Sequence, residues 1–419
     1  MKNSDTVIIK NMKYYNQGEK MQTTPNSNRT HIIFLGSTNA GKSSLLNAIT
    51  EQEISIVSDI KGTTTDSVKK AMELIPYGPV LFIDTAGFND SSELGKLRIE
   101  KTIKEIKKSD FAVYVIDGND FDENIYKENL NLLKKYNLPF ITVINKEETL
   151  SEEKKEELKN ILKEPYFLSA HDRNSVLDFK KFLIEKLDVL EEEPSLLKGI
   201  VEYGDTVVMV VPIDSEAPKG RLILPQVQIL RDALDNGIKV IVARDTELSS
   251  VLDENKNIKL VITDSQAFKK VDKIVADRYP LTSFSILFAK QKGDINKFIK
   301  GIDVIQNLKD GANILIAETC SHNTSHEDIG RVKIPMMLQK KTGKKFNFSF
   351  SMGKDFPENL GDFDLIIHCG GCMITKKAME NRIAECNGAG VEVANYGMVI
   401  AYLTGILEKS IKSININIF

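Results

Sequence analysis

Cysteine is scarce in this 419-residue chain: four residues, all after position 319. Four late thiols do not make a disulfide framework, and clustered cysteines of a reducing compartment more often bind metal or do redox work. No apolar run approaches the roughly 18 residues that a membrane span needs; the strongest, Val207 to Val211, is strand-sized. An excess of one charge is missing too. The 56 basic and 59 acidic side chains leave a formal charge of −3, which argues against a dominant nucleic-acid or membrane-surface role. The first thirty residues are polar, include a second methionine at Met21 and lack the apolar core of a signal peptide, so the expected location is cytoplasmic.

Length alone predicts two to four domains. After a polar extension over 1–30, apolar runs at His31 to Leu35, Val80 to Ile83, Phe111 to Ile116 and Phe140 to Ile144 alternate with amphipathic helical stretches. That alternation predicts a doubly wound α/β domain over 31–190. The charged segment Leu150 to Glu164 reads as a solvated helix. A second module over 196–265, with strands at Asp205 to Ile213, Ile238 to Ala243 and Ile258 to Ile262 around a helix at Pro225 to Asn236, carries no catalytic constellation and reads as a docking or dimerisation unit. A third α/β pattern over 275–419 has strands at Asn313 to Ala317, Asp364 to His368 and Val391 to Ala394.

Gly36-Ser37-Thr38-Asn39-Ala40-Gly41-Lys42-Ser43 follows the first strand and leads into a helix beginning at Ser44, the context that a phosphate-binding loop requires. Its glycines let backbone N–H groups wrap phosphates, Lys42 reaches the β and γ phosphates, and Ser43 suits magnesium. Asp84-Thr85-Ala86-Gly87 ends the next strand, with Asp84 suited to magnesium and the Gly87 N–H to sensing the γ-phosphate. Between them Gly62-Thr63-Thr64-Thr65-Asp66 reads as a switch, with Thr64 the expected sensor of magnesium or γ-phosphate. Asn145-Lys146-Glu147-Glu148 and Ser169-Ala170 end two further strands.

In this order the motifs resemble those of the GTPases, and most closely the TrmE-Era-like branch, which shares Asn39 to Ser43 and the Gly-Thr-Thr switch. The resemblance covers 31–190 and implies GTP/GDP and Mg2+ as ligands. It also implies that Asn39 helps hold a K+ ion against the phosphates. Two departures matter. Glu148 stands where the family's guanine-reading motif has aspartate, a shift of about one bond length. Phe88 follows Gly87 where Ras-like enzymes carry the water-orienting glutamine, which predicts slow intrinsic hydrolysis.

Three cysteines form one pattern: Cys320-Ser321-His322, then His368-Cys369-Gly370-Gly371-Cys372. Cys320 follows one strand and Cys369 ends another, at the carboxyl ends where open α/β sheets bind ligands. Thiolates select zinc, copper(I) or iron–sulfur clusters, and three cysteines with a histidine would equally close a zinc site. Three thiolates would hold three irons of a 4Fe-4S cube and leave the fourth for a weaker ligand. Candidates for that ligand are Glu318, His322 and His368, with His326 and Cys386 beyond the motif.

Joined behind such a GTPase domain, this pattern resembles the FeFe-hydrogenase maturation GTPases, the HydF scaffold family. The resemblance covers nearly the whole chain from His31. It implies a homodimer whose last domain binds a 4Fe-4S cluster through Cys320, Cys369 and Cys372. It further implies a diiron precursor as cargo, delivered to apo FeFe-hydrogenase after two radical-SAM maturases have supplied its parts. A TrmE-like RNA-modification or ribosome-assembly GTPase with a zinc module is the alternative, and a nucleotide-regulated electron carrier is a third reading. No membrane partner is expected.

Overall fold

The computed structural model describes residues 24–51, 58–60, 67–85, 87, 93–190, 194–213, 220, 222–319, 328–353 and 356–416, with only the backbone of 51, 58–60 and 93–96. Thr64 and the rest of its switch, Ala86, Phe88, Cys320, His322 and His326 lie outside the described residues.

The expected apolar runs form strands that gather into three sheets. The first comprises β1 (Thr30–Leu35), β2 (Ser58–Ile60), β3 (Val68–Leu74), β4 (Gly78–Asp84), β5 (Phe111–Asp117), β6 (Phe140–Asn145) and β7 (Tyr166–Phe167), in the order β2-β3-β4-β1-β5-β6-β7. The pairs β2–β3 and β3–β4 are antiparallel and the other pairs parallel. Helices cover both faces, so β1 must be apolar throughout. Ile32 and Phe34 enter one buried cluster with Leu45 and Phe179, while Ile33 and Leu35 enter the other with Leu81 and Leu133. Asp122, Ser151 and Asp172 cap three of these helices by accepting backbone N–H groups of the first turn, which local acidic and hydroxyl side chains do best. The charged helix runs over Glu152–Ile161 and buries Leu158 alone among its residues.

The second sheet contains β8 (Thr206–Val210), β9 (Lys239–Ala243), β10 (Ile258–Thr263) and β11 (Leu281–Ser283), all parallel, in the order β11-β10-β8-β9. This sheet outruns the expected limit of 265. Leu281, Thr282 and Ser283 are fully buried and pair with Val261, Ile262 and Thr263; three residues are too few to show a strand period. The third sheet, also parallel, has β12 (Asn313–Ala317), β13 (Asn347–Ser351), β14 (Leu365–His368) and β15 (Val393–Asn395), in the order β13-β12-β14-β15. The second and third sheets share one apolar core, from Leu196 to Ile414.

The first sheet and its helices dock on the third through the helix Lys376–Gly388. Thr375 Oγ1 donates to Lys108 O at 3.3 Å, Asn381 Nδ2 to Lys107 O at 2.7 Å, and Lys377 Nζ to Asn137 O at 3.2 Å. Lys107 pairs with Glu385 at 2.5 Å.

Candidate nucleotide site and cysteine loop

At the carboxyl end of β1 the chain turns through the phosphate-binding loop into the helix Lys42–Glu51. The neighbours of β1 are β4 and β5, so this end is a topological switch point, where doubly wound sheets open a crevice. Lys42 is 6% exposed, and its ammonium arches back to donate to Gly36 O at 3.1 Å and Ser37 O at 2.8 Å. Burial lowers its pKa, with the charge of Asp84 opposing. Such an ammonium is held over the loop, ready for phosphate oxygens.

Ser43 Oγ donates to Asp84 Oδ2 at 2.5 Å, while buried Asp84 Oδ1 has no hydrogen-bond partner among the described residues. Burial raises the Asp84 pKa, with the Ser43 hydrogen bond and Lys42 charge opposing. A hydroxyl and a carboxylate with an orphaned oxygen are the hard donors that Mg2+ takes, so these residues fit that ion. Gly87 reaches the same loop: a Cβ there would meet Thr38 N and Oγ1, each at 2.4 Å. Asn39 is exposed and holds φ at 65°; Ala40 is buried and Ser44 exposed.

Asn145 ties the segment at Ala170 to the phosphate-binding loop. Its Nδ2 donates to Ala40 O and its Oδ1 accepts from Ala170 N, both at 3.1 Å. Gly41 is required beneath it, because a Cβ would sit 2.1 Å from Asn145 Nδ2. Lys146, at φ 63°, forms an ion pair with Asp117. Glu148 is exposed within the short helix Glu147–Thr149. Ser169 is buried and receives the His171 N–H on its Oγ at 3.3 Å. Sequence reading missed Asp117 and Asn119. Asp117 ends β5 opposite Asn145 and also accepts from Asn119 N at 3.0 Å, and Asn119 Nδ2 reaches Thr149 Oγ1 at 2.6 Å. The signal was an Asp at the carboxyl end of a strand, the position already used for Asp84.

Cys369 follows β14 directly; its sulfur accepts from Thr319 N at 3.3 Å and shares a hydrogen bond with Thr319 Oγ1, also at 3.3 Å. Cys320 is the next residue in the chain. Burial pushes the Cys369 thiol up, with Thr319 opposing, and pushes Cys372 to about 12, with Lys292 opposing. Glu318 is buried, and its Oε1 accepts from Tyr396 Oη at 3.2 Å. His368 is fully committed: Nδ1 lies 2.8 Å from Cys369 O and Nε2 3.0 Å from Arg382 Nη1. A carbonyl partner makes Nδ1 the donor, so Nε2 accepts from the guanidinium. Burial first, then Arg382, lowers the His368 pKa to about 3. As a metal ligand it would have to give up one of these bonds. Cys386 is fully buried on the helix Lys376–Gly388, outside the cysteine loop. No group of three metal-binding side chains converges among the described residues.

A cleft of about 780 Å³ opens between the sheets, lined by residues including Arg29, Asp110, Gln228, Arg231 and Lys376. Among the described residues, neither the phosphate-binding loop nor Cys369 and Cys372 line it.

The loop around Lys42, the Ser43–Asp84 pair and the Asn145 bridge define a P-loop GTPase. A family model described as a 50S ribosome-binding GTPase matches residues 31–146. The hydrogen maturase F dimerization-domain model matches 196–293 and the hydrogen maturase F tetramerization-domain model 296–413. The chain therefore belongs to the hydrogen maturase F family of hydrogenase maturation GTPases.

Among curated relatives, GTPase Der of Campylobacter concisus is 33% identical over 219 residues, 49% of this chain and 46% of that protein. The tRNA modification GTPase MnmE of Helicobacter pylori strain J99 is 37% identical over 179 residues, 41% of this chain and 38% of that protein. The chain thus spans less than half the length of either relative, and the likeness reflects the GTPase domain. Among solved structures, Era in complex with MgGDPNP and a segment of 16S ribosomal RNA is 21% identical with a TM-score of 0.31, covering 51% of this chain and 91% of that one. The G domain of the T. maritima FeoB iron transporter is 23% identical with a TM-score of 0.27, covering 38% and 99%. No helix among the described residues is long and apolar enough to cross a membrane.

Proposed function

We propose that this chain is a GTP-hydrolysing assembly scaffold of the cytoplasm. It binds a 4Fe-4S cluster and a diiron precursor, and delivers the precursor to apo FeFe-hydrogenase during maturation. The observation that carries the cluster reading is the pair of Thr319 hydrogen bonds to Cys369 Sγ. Cys320 follows Thr319 directly in the chain, and Cys372 comes three residues after Cys369. Hydrogen bonds to sulfur stabilise thiolate ligands. Cys320, Cys369 and Cys372 would hold the cluster. Glu318, the residue before Thr319, is favoured as fourth ligand over His368, because both His368 ring nitrogens are engaged; His322 is the remaining candidate. When bound, the cluster supplies an iron site at which the diiron cargo can be attached and released.

On the nucleotide side, Gly36 to Ser44 would cradle the phosphates of GTP, and Ser43, Asp84 and Thr64 would hold Mg2+. Asn39 would hold K+, while Gly87 would sense the γ-phosphate. Asn145, Lys146, Glu148, Ser169 and Ala170 would hold the guanine. Hydrolysis acts as a clock for exchange of cargo with the two radical-SAM maturases and the hydrogenase. The matched domain descriptions support oligomerisation, with a homodimer as the working unit.

Anaerobic iron and acid-labile sulfide content, with an EPR spectrum, tests the reading on the wild type and Cys369→Ala. About four irons and four sulfides per chain, depleted in the variant, are expected. One zinc and no sulfide would overturn it. GTP turnover measured in potassium and in sodium should favour potassium, and Asn39→Ala should remove the difference.

A further inference from the structure

The cysteine loop of the third sheet is covered by a helix that precedes that sheet in the chain. Phe284–Lys292 lies so close that a Cβ on Gly370 would be 3.3 Å from Ser285 Oγ and 3.6 Å from Phe288 Cβ. Lys292 ends this helix. It is 1% exposed, its Nζ donates to Ile374 O at 2.8 Å, and the same nitrogen lies 5.7 Å from the centre of the Phe288 ring. Ile374 stands two residues beyond Cys372. The ammonium is therefore fixed, out of water, against the segment that carries Cys369 and Cys372. Burying an ammonium is costly, and in low dielectric its field is screened far less than at a surface.

We propose that Lys292 is the fixed counter-charge of the cluster in the Cys369–Cys372 loop, a positioning residue that sets the cluster's reduction potential. The inference rests on the iron–sulfur reading above. Three thiolates around a 4Fe-4S core give an anionic assembly, and reduction adds one more negative charge. A nearby cation stabilises the reduced form more than the oxidised one, and cluster potentials respond to net charge, hydrogen bonds and exposure. A lysine serving only to staple the helix to the Ile374 carbonyl would affect stability and leave the potential alone.

Three full-length proteins separate these roles: wild type, Lys292→Gln, which can still donate to Ile374 O, and Lys292→Arg, which keeps the charge. Each is reconstituted anaerobically with ferrous iron and sulfide, assayed for both, and titrated with dithionite while the EPR signal is followed. The expected result is one midpoint for wild type and Lys292→Arg and a more negative one for Lys292→Gln. Lys292→Met provides a second charge-free side chain should the Gln variant fold poorly. Equal midpoints at equal iron content overturn the inference and leave the cluster reading standing. A wild type that holds no acid-labile sulfide overturns the cluster reading, and this inference with it.

Discussion

Asn381 donates its side-chain amide to the Lys107 carbonyl at 2.7 Å, joining the helix after the cysteine loop to the residue just beyond the helix Glu93–Ile106. That second helix follows the Gly87 segment, so the contact links the two candidate sites through one element of each. Asn381→Ala removes the donor without touching either site. A hydrogen bond of this kind contributes about 1 kcal/mol. The expected outcome is a loss of that size in the unfolding free energy of the full chain, measured by denaturant titration, with GTP turnover unchanged.

This docking was invisible in the sequence, because three of its acceptors are backbone carbonyls at Lys107, Lys108 and Asn137, which carry no residue signature, and the Lys107–Glu385 pair joins residues far apart in the chain. The strands β1, β4, β5 and β6 were legible because they are apolar on both faces. Asn347–Ser351 escaped, being a polar edge strand largely open to solvent. Val68–Leu74 escaped as well, since two lysines interrupt it. The phosphate-binding loop could be read from spacing alone. The roles of Asn145 and His368 could not, because each depends on partners far away in the chain or on a helix packed across the sheet end.

Lys42 and Ser43 should separate binding from turnover. Lys42→Ala removes the ammonium held over the loop; if it serves phosphate charge, losing one preorganised donor of this type costs about 10²–10³-fold in rate. Ser43→Ala removes the hydroxyl beside Asp84 Oδ2, so its defect should shrink as Mg2+ is raised, whereas that of Lys42→Ala should persist. Single-turnover hydrolysis across a Mg2+ series checks both outcomes.

Glu148 gives a test of base recognition. The residue is exposed, so shortening it by one methylene disturbs no packing. If its carboxylate reads the guanine edge from a displaced position, Glu148→Asp should tighten GDP binding by about tenfold. That is the effect of roughly 1.4 kcal/mol, within the range of a hydrogen bond to a charged group. Affinity for IDP, which lacks the 2-amino group, should rise less. Equal gains for the two nucleotides would count against guanine reading by this residue.

His368 makes the metal-free protein sensitive to mild acid. Its pKa falls from the ordinary 6.5 to about 3 because the ring is buried and faces Arg382. Below pH 6.5 the unfolded chain takes up a proton at this position that the folded chain refuses. Stability is therefore lost as pH drops from 6.5 toward 3, at up to about 1.4 kcal/mol per pH unit. His368→Gln keeps an acceptor for Arg382 and cannot titrate. Between pH 7 and pH 5 the wild type should lose about 2 kcal/mol more than the variant, measured by denaturant unfolding in the presence of a chelator. Equal losses would mean that the ring titrates normally and that the bond to Arg382 does not hold it neutral. One of its nitrogens would then be open to a metal, and His368 would return as the fourth ligand ahead of Glu318.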